Sequence, residues 1–413
     1  MADRVGGRWR PSRNVVVLSA VSFLTDVSSE MIAPLLPLFL VGTLGAPVVM
    51  VGVIEGGADA LASLLKLGSG WWSDRVRRRK PLLVAGYALA SLARPCMALA
   101  HGAGQVLAIR LVDRVGKGVR GAPRDALLAA SVAAGDRGRA FGLHRAADHA
   151  GALAGTLVAV GLLQGGGVPL RTVFALAAIP GALAVAVALW GVREAVVPSA
   201  GIEARGSGLA PPGLAQVPAA PSVRADPLPH PFWWTMAALL LFALGNATDA
   251  YLLLRARELG VPLAAIPLVW ALLHLVKSAS STPAGALSDR LGRRPLIAVG
   301  WLWYAAVYAG FALVPPGWML WPLVAAYGVV FGLTEGAEKA LVADLVPPTR
   351  RGTAFGWYHA TLGVAALPAS VLFGALWSWR GAPVAFGTGA VLAVLAAGLL
   401  LAGQQQRTPP PLR

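Results

Sequence analysis

Several ionisable side chains stand inside long apolar runs of this sequence, and their spacing limits the chemistry open to them. Asp26 and Glu30 lie four residues apart, which puts two carboxylates on one face of a helix. Glu55, Asp59 and Lys66 sit in the next apolar run. A third set runs through Arg110, Asp113, Arg114, Lys117, Arg120, Arg124 and Asp125, and Arg110, Arg114, Lys117 and Arg124 keep close to one helical stripe. His144, Arg145, Asp148 and His149 follow. The later part of the chain is sparser, with Asp249, His274, Lys277, Glu335, Glu338, Lys339 and His359. Each such residue costs about 2.5–3.5 kcal/mol to insert in a bilayer and normally faces a cavity or a partner.

A carboxylate beside a fixed arginine holds its proton differently when the pair is closed and when it is wet. Asp26, Glu30 and Arg114 are therefore the leading candidates for a proton-coupling group, followed by Glu55 and Asp59. Arg110, Lys117, His144, Asp148, Asp249, His359 and Trp357 are candidates to line a substrate cavity. His144 and His149 have the chemistry of a proton relay, and Trp233, Trp234 and Trp270 join Trp357 as aromatic contacts. The same side chains allow other uses. Mutual ion pairs account for residues near the run ends, such as Asp125 and Arg145. The basic stripe suits an organic anion, including a metal chelate. Asp26 and Glu30 with Asp249 and His359 form a donor set for a first-row divalent metal.

The elements that must carry these groups are membrane helices. The 413 residues are 56% hydrophobic and only 13% charged, against about 25% charged in soluble chains. Mean hydropathy is +0.65. Hydropathy gives twelve spans, roughly 14–41, 47–72, 80–100, 104–131, 138–163, 169–191, 232–256, 263–287, 294–315, 317–344, 352–378 and 381–403. The runs are too long for barrel strands and lack a two-residue alternation. The fold class is therefore all-α, a polytopic membrane protein.

The net charge of +16 would suggest nucleic acid in a soluble protein. Here the basic residues gather between spans. They are Arg4, Arg8, Arg10 and Arg13 before span one, Arg75, Arg77, Arg78, Arg79 and Lys80 after span two, Arg137 and Arg139 after span four, Arg290, Arg293 and Arg294 after span eight, and Arg350 and Arg351 after span ten. The positive-inside rule puts these loops and both termini in the cytoplasm, in a cytoplasmic (inner) membrane. Residues 192–231 are rich in Pro, Gly, Ala and Ser and read as a cytoplasmic linker between an N-terminal bundle (1–191) and a C-terminal bundle (232–413). Cys96 is the sole cysteine, so an intrachain disulfide and a cysteine metal cluster are excluded. The first apolar run is too long for a cleaved signal peptide. No nucleotide-binding loop occurs, no cofactor is implied, and no Ser–Lys pair or His-Glu-x-x-His motif supports an intramembrane enzyme, the reading from a different class alongside a membrane scaffold.

The two bundles repeat each other. Gly70-Trp-Trp-Ser-Asp74-Arg75 returns as Gly285-Ala-Leu-Ser-Asp289-Arg290, 215 residues later. Arg137-Gly-Arg-Ala-Phe-Gly142 returns as Arg351-Gly-Thr-Ala-Phe-Gly356, 214 residues later. Each half has six spans, so the halves share one orientation, as in transporters built from parallel repeats with the substrate site between them. On these motifs the chain resembles the major facilitator superfamily. That family's Gly-x-x-x-Asp-Arg-x-Gly-Arg-Arg loop fits Gly285 to Arg294 at every position, and Gly70 to Arg79 at all but Arg77. Arg114-Val-Gly-Lys117-Gly118 resembles the family's Arg-x-x-Gln-Gly motif, with Lys for Gln. Gly142, Gly151 and Gly155 have the spacing of the antiporter motif, with Thr156 in place of its proline.

The resemblance implies two pseudo-symmetric six-helix bundles and a monomeric secondary transporter. Its partners would be protons, a small molecule and the lipid bilayer. It leans toward efflux of an amphipathic organic compound, with an organic anion, a metal chelate or a divalent ion as alternatives. The repeated loop also suggests a conformational latch made by Asp74 and Arg75 and by Asp289 and Arg290. A carboxylate there can face the positive end of a helix from the other half. Asp74 is expected to hold the start of span eleven, and Asp289 the start of span five.

Overall fold

Apolar runs of this length become helices because hydrocarbon offers the backbone no hydrogen-bond partner, so each segment must satisfy its own N–H and C=O groups. The computed structural model describes residues 9–36, 39–46, 48–76, 78–194, 227–261, 266–313 and 318–405. All regular structure among them is helical. Arg4, Arg8 and Arg77 and most of the expected linker lie outside the described residues.

Twelve spans follow one another among the described residues. In the first half they are Arg13–Glu30 with a 3-10 turn at Ala33–Leu35, then Val48–Val76, Lys80–Ala93 continued by a 3-10 turn at Arg94–Leu99, Ala103–Ala130, Arg137–Val160, and the pair Leu170–Leu176 and Ala178–Gly191. In the second half they are the pair His230–Gly245 and Ala250–Glu258, then Ile266–Leu291, Arg293–Leu313, Leu320–Leu345, Arg351–Arg380 and Ala382–Gln405. Four spans are absent from the helices that are long and apolar enough to cross by composition alone: span seven, whose apolar piece His230–Gly245 is too short, and spans two, four and eight, which are the charged ones. These three carry Glu55, Asp59 and Lys66, the basic stripe, and Lys277.

The sequence suggests one helix over 232–256, but span seven breaks at Asn246, Ala247 and Thr248. The break is held from outside: the Tyr304 hydroxyl donates to the Gly245 carbonyl at 2.9 Å. Span three likewise leaves the α-helix at Arg94 and Pro95, because proline lacks the N–H that would continue it.

Within the first half, span one packs on five and six, and span four on two and three. Within the second, twelve packs on seven and nine, and ten on eight and nine. The most extensive crossings between the halves are span two on eleven and span five on eight. These are the same crossing written twice, once for each copy of the repeat. Glycines permit the approach. A Cβ on Gly70 would stand 2.1 Å from the Gly352 carbonyl oxygen, and one on Gly285 equally close to that of Gly138. Backbone meets backbone there, as small residues allow in membrane helices.

Candidate functional site

Both crossings lie at the basic end of the bundle, where the loops after spans two, four, eight and ten gather. Asp74 accepts hydrogen bonds from the backbone N–H of Gly352 at 2.9 Å and of Thr353 at 2.6 Å, and from the Thr353 hydroxyl at 2.9 Å. Asp289 accepts from the backbone N–H of Gly138 and of Arg139, both at 2.9 Å. Each aspartate thus caps the first turn of a helix in the other half, where unpaired N–H groups and the helix dipole favour an anion. The arginines that engage them are Arg79, 3.3 Å from Asp74, and Arg293 on Asp289. Arg79 and Arg293 also donate to the carbonyls of Pro348 and Ala134, across the same crossings. Arg75 instead lies over the Trp71 ring at 3.8 Å, and Arg290 is exposed. The arginine beside each aspartate in sequence is therefore not its partner, because the helix carries that side chain round to the outside.

Further from the basic end, span four divides its charge between two levels. At the deeper level Arg110 reaches both oxygens of Glu55 at 2.6 and 2.5 Å. Arg114 stands 3.0 Å from Asp59, and Arg94 2.9 Å from the buried Asp113. These pairs bind spans two, three and four into one unit.

At the nearer level the same helix opens onto a cavity of about 290 Å³ between the halves. Its wall comprises Ser22 and Asp26 of span one, Lys66 of span two, and Lys117, Arg120, Gly121 and Arg124 of span four. Arg145 and Asp148 of span five, Glu335 and Lys339 of span ten, and Tyr358, His359 and Leu362 of span eleven complete it. Six cations thus face three carboxylates.

Two ion-pair groups join the halves across this wall. Arg145 grips Glu335 through two contacts at 2.5 and 2.7 Å and also reaches Asp148 at 2.8 Å. Asp125, fully buried, is met by Lys339 at 3.0 Å, His359 at 2.8 Å and Arg124 at 3.0 Å. With those pairs made, Lys66, Lys117 and Arg120 have no ion pair among the described residues. Arg120 lies 4.3 Å from the centre of the Tyr87 ring, and its Nη1 is buried without a hydrogen-bond partner. Asp26 is the wall's remaining carboxylate outside an ion pair among the described residues. Its charged surroundings are Asp148, Glu30, Lys117 and Arg120. The surplus on the wall is positive, and low-dielectric walls concentrate such a field.

The sequence-derived candidates scatter across this arrangement. Asp26, Lys117, Asp148 and His359 line the cavity. Glu30 lies one turn further along span one, among Lys117, Arg114, Arg110 and Arg94. Arg110, Arg114, Glu55 and Asp59 are spent on one another. His144 is buried 3.6 Å from Asp148 and is not on the wall. Asp249 is held by Lys277 at 3.0 Å and the Tyr327 hydroxyl at 2.8 Å, within the second half.

Trp357 lies away from the cavity wall. It is 37% exposed and packs edge-on to Trp233, 5.1 Å away. Its neighbours Tyr358 and His359 take the inner face, and one helical step of about 100° turns Trp357 outward. The divalent-metal set also fails to assemble. Asp249 and His359 are engaged by different partners, and no group of three or more His, Cys, Asp or Glu among the described residues is placed to hold a metal ion. Sequence reasoning passed over Lys66, Arg120, Arg124, Lys339 and Tyr358 as cavity residues. The usable signal was the continuation of the stripe through Lys117, Arg120 and Arg124, at spacings of three and four.

The family model of the Major Facilitator Superfamily matches residues 18–334 and 250–413. The chain is 31% identical over 401 residues to the MFS-type transporter MJ1317 of Methanocaldococcus jannaschii, covering 94% of each chain. Its fold is similar to that of the human organic anion transporter MFSD10, with a TM-score of 0.74 and 16% identity, covering 94% of this chain and 99% of that one. It is also similar to a bacterial homologue of the iron transporter ferroportin in its outward-facing state, with a TM-score of 0.68 and 15% identity, covering 95% and 99%.

Proposed function

The chain belongs to the Major Facilitator Superfamily, and from that premise we propose that it is a proton-coupled secondary transporter whose substrate is an organic anion. The cavity carries this reading. Among the described residues, Lys66, Lys117 and Arg120 enter it from one side without ion-pair partners, and the buried Nη1 of Arg120 has no hydrogen-bond acceptor. A carboxylate or phosphate of the substrate would supply the missing acceptors, and charge-assisted hydrogen bonds of that kind are the strong ones. An amphipathic cation would meet the same surplus as repulsion. The human protein of similar fold is an organic anion transporter, which agrees with this reading but does not carry it.

Alternating access follows from the two crossings. They seal the basic end while the cavity above them is lined by both halves. The positive-inside rule puts that end in the cytoplasm, so this conformer is closed on the cytoplasmic side. Release of Asp74 and Asp289 from the helix starts that they cap would open the opposite route. Asp26 and Glu30 remain candidates for the proton, beside Lys117. Gly151 and Gly155 of span five press on the backbone of span one at Phe23 and Val27. Those glycines belong to the antiporter pattern and support export coupled to proton entry.

The test is transport into proteoliposomes under an imposed pH gradient, with matched panels of organic anions and organic cations. Anion movement that follows the gradient and weakens in Lys117→Gln supports the reading. Movement of cations alone, unaffected by Lys117→Gln, would overturn it.

A further inference from the structure

Glu338 is an ionisable group of the second half that neither the latches nor the ion pairs of the cavity wall use. It sits on span ten, is 6% exposed, and has no ion pair among the described residues. Its two oxygens each accept one hydrogen bond from a neutral donor, Trp301 Nε1–H at 3.2 Å and the Tyr358 hydroxyl at 3.0 Å. The charged neighbours on its own helix are committed elsewhere. Glu335 is held by Arg145 and His149, and Lys339 points to Asp125. From span nine it is faced by Trp301 and Tyr304, from span eleven by Tyr358, and from span seven by the neutral Phe242 and Asn246.

Most of these side chains line a second cavity, about 100 Å³, that shares Glu335, Tyr358 and Leu362 with the larger one. A carboxylate in the bilayer core without a counter-ion is costly as an anion, and a bound proton removes that cost. Indole N–H and phenol O–H can hydrogen-bond the carboxylate but cannot neutralise it. Tyr358 belongs to both cavities, so its hydroxyl stands between Glu338 and the wall where the substrate would bind.

We propose that Glu338 is the carboxylate that binds and releases the transported proton, with Tyr358 as the positioning residue that links it to the substrate cavity. The step is simple in balance. A proton from water on one side joins the carboxylate to give the acid, and the same proton leaves to water on the other side after the halves rearrange. Nothing else is consumed. The span-eleven helix start is capped by Asp74 at one end, and the same helix carries Tyr358. Opening of the basic end therefore moves the hydroxyl that covers Glu338. This inference rests on the proton-coupled reading above, and it replaces Asp26 and Glu30 as the proton carrier.

Two measurements on the full chain in bilayers separate the claims. Infrared difference spectra taken between acid and alkaline buffer should show a protonated-carboxyl C=O band. The band should be lost in Glu338→Gln, kept in Asp26→Asn, and moved in frequency by Tyr358→Phe and by Trp301→Phe. Tyr358→Phe removes only the hydroxyl, keeps the ring packing and guards against a folding artefact in Glu338→Gln. A band unchanged in Glu338→Gln, or lost in Asp26→Asn instead, overturns the proposal.

The second measurement is proton movement into proteoliposomes under an outward gradient of fluorescein, used as the organic anion probe. Wild-type protein should acidify the lumen, as exchange of outgoing anion for incoming protons requires, and Glu338→Gln should not. A Glu338→Gln protein that still couples protons overturns this proposal and leaves the transporter reading intact. A wild type that shows the infrared band but responds to no pH gradient with any anion or cation sinks the proton-coupled reading itself, and this proposal with it.

Discussion

The first six spans place five cations on the wall of the central cavity, and the second six place one, Lys339. The second half offers instead a stack of rings behind the wall. Phe242 lies against Trp301 with centroids 4.7 Å apart, and Tyr304 against Tyr308 at 4.0 Å. At the basic end the halves are alike. Each has an aspartate that caps a helix start across the interface and an arginine that steadies it. The duplicated sequence thus kept one mechanical element in both copies, while the interiors took different roles. Cations collect on the cavity wall of the first half, and a carboxylate held by neutral donors stands in the second.

The sharpest way to break this division is to remove the surplus charge. Replacing Lys117 and Arg120 together with Gln should weaken binding of an organic anion by about 100-fold or more. A hydrogen bond to a charged group contributes about 1.5–3 kcal/mol, and about 1.4 kcal/mol is a factor of ten. A binding titration checks it, and a change below about fivefold would place recognition elsewhere.

Next in size is Asp125→Asn, which leaves Arg124 and Lys339 facing each other without their shared carboxylate. Removing one partner of a buried pair costs about 3–5 kcal/mol, so thermal unfolding in detergent should begin well below that of the wild type. Adding Lys339→Met should recover part of the loss. If the double variant is no better than the single one, Lys339 does not depend on Asp125.

Smaller effects should distinguish the two latches. Asp74 receives three hydrogen bonds from span eleven and Asp289 two from span five. The second latch has extra support from Asp344, which engages both Arg137 and Arg293. Asp74→Ala should therefore open the basic end more than Asp289→Ala, by about tenfold if the extra charged hydrogen bond counts fully. Reactivity of a Leu362→Cys side chain toward a membrane-impermeant maleimide applied at the basic end reads the difference. Equal reactivity in both variants would make the latches equivalent. The smallest effect expected is that of Trp357→Ala. That ring packs on Trp233 at the outer surface, so the KM for transport should change by less than about twofold.

Much of this architecture was legible in the sequence, because lipid imposes a single solution on a long apolar run and the repeats at offsets of 215 and 214 fix the symmetry. The aspartates and the helix starts at Gly352 and Gly138 could be named from the same motifs. The site was less legible. Arg110, Arg114, Lys117 and Arg124 share one stripe, but only depth along the helix decides which of them meets Glu55 and Asp59 and which meets the cavity. That depth depends on where span two lies. Trp357 and Tyr358 are adjacent in sequence, and one helical step decides which of them faces the cavity. Glu338 stands among the ionisable residues of the spans, but nothing in the sequence sets it apart from them, since its isolation is a property of Trp301 and Tyr358, 37 residues before it and 20 after it. The break in span seven was hidden for a similar reason, because Tyr304 holds it from another helix.

On the proposed reading, the positive surplus of Lys66, Lys117 and Arg120 selects the substrate's charge. The most direct measurement is the ratio of affinities for two probes that share one aromatic scaffold, one bearing a carboxylate and the other an ammonium group, in the wild type and in Lys117→Glu. The wild type should prefer the carboxylate by about tenfold or more, and the preference should collapse or reverse in Lys117→Glu. A wild type that binds both probes equally, or prefers the ammonium, would contradict the claim.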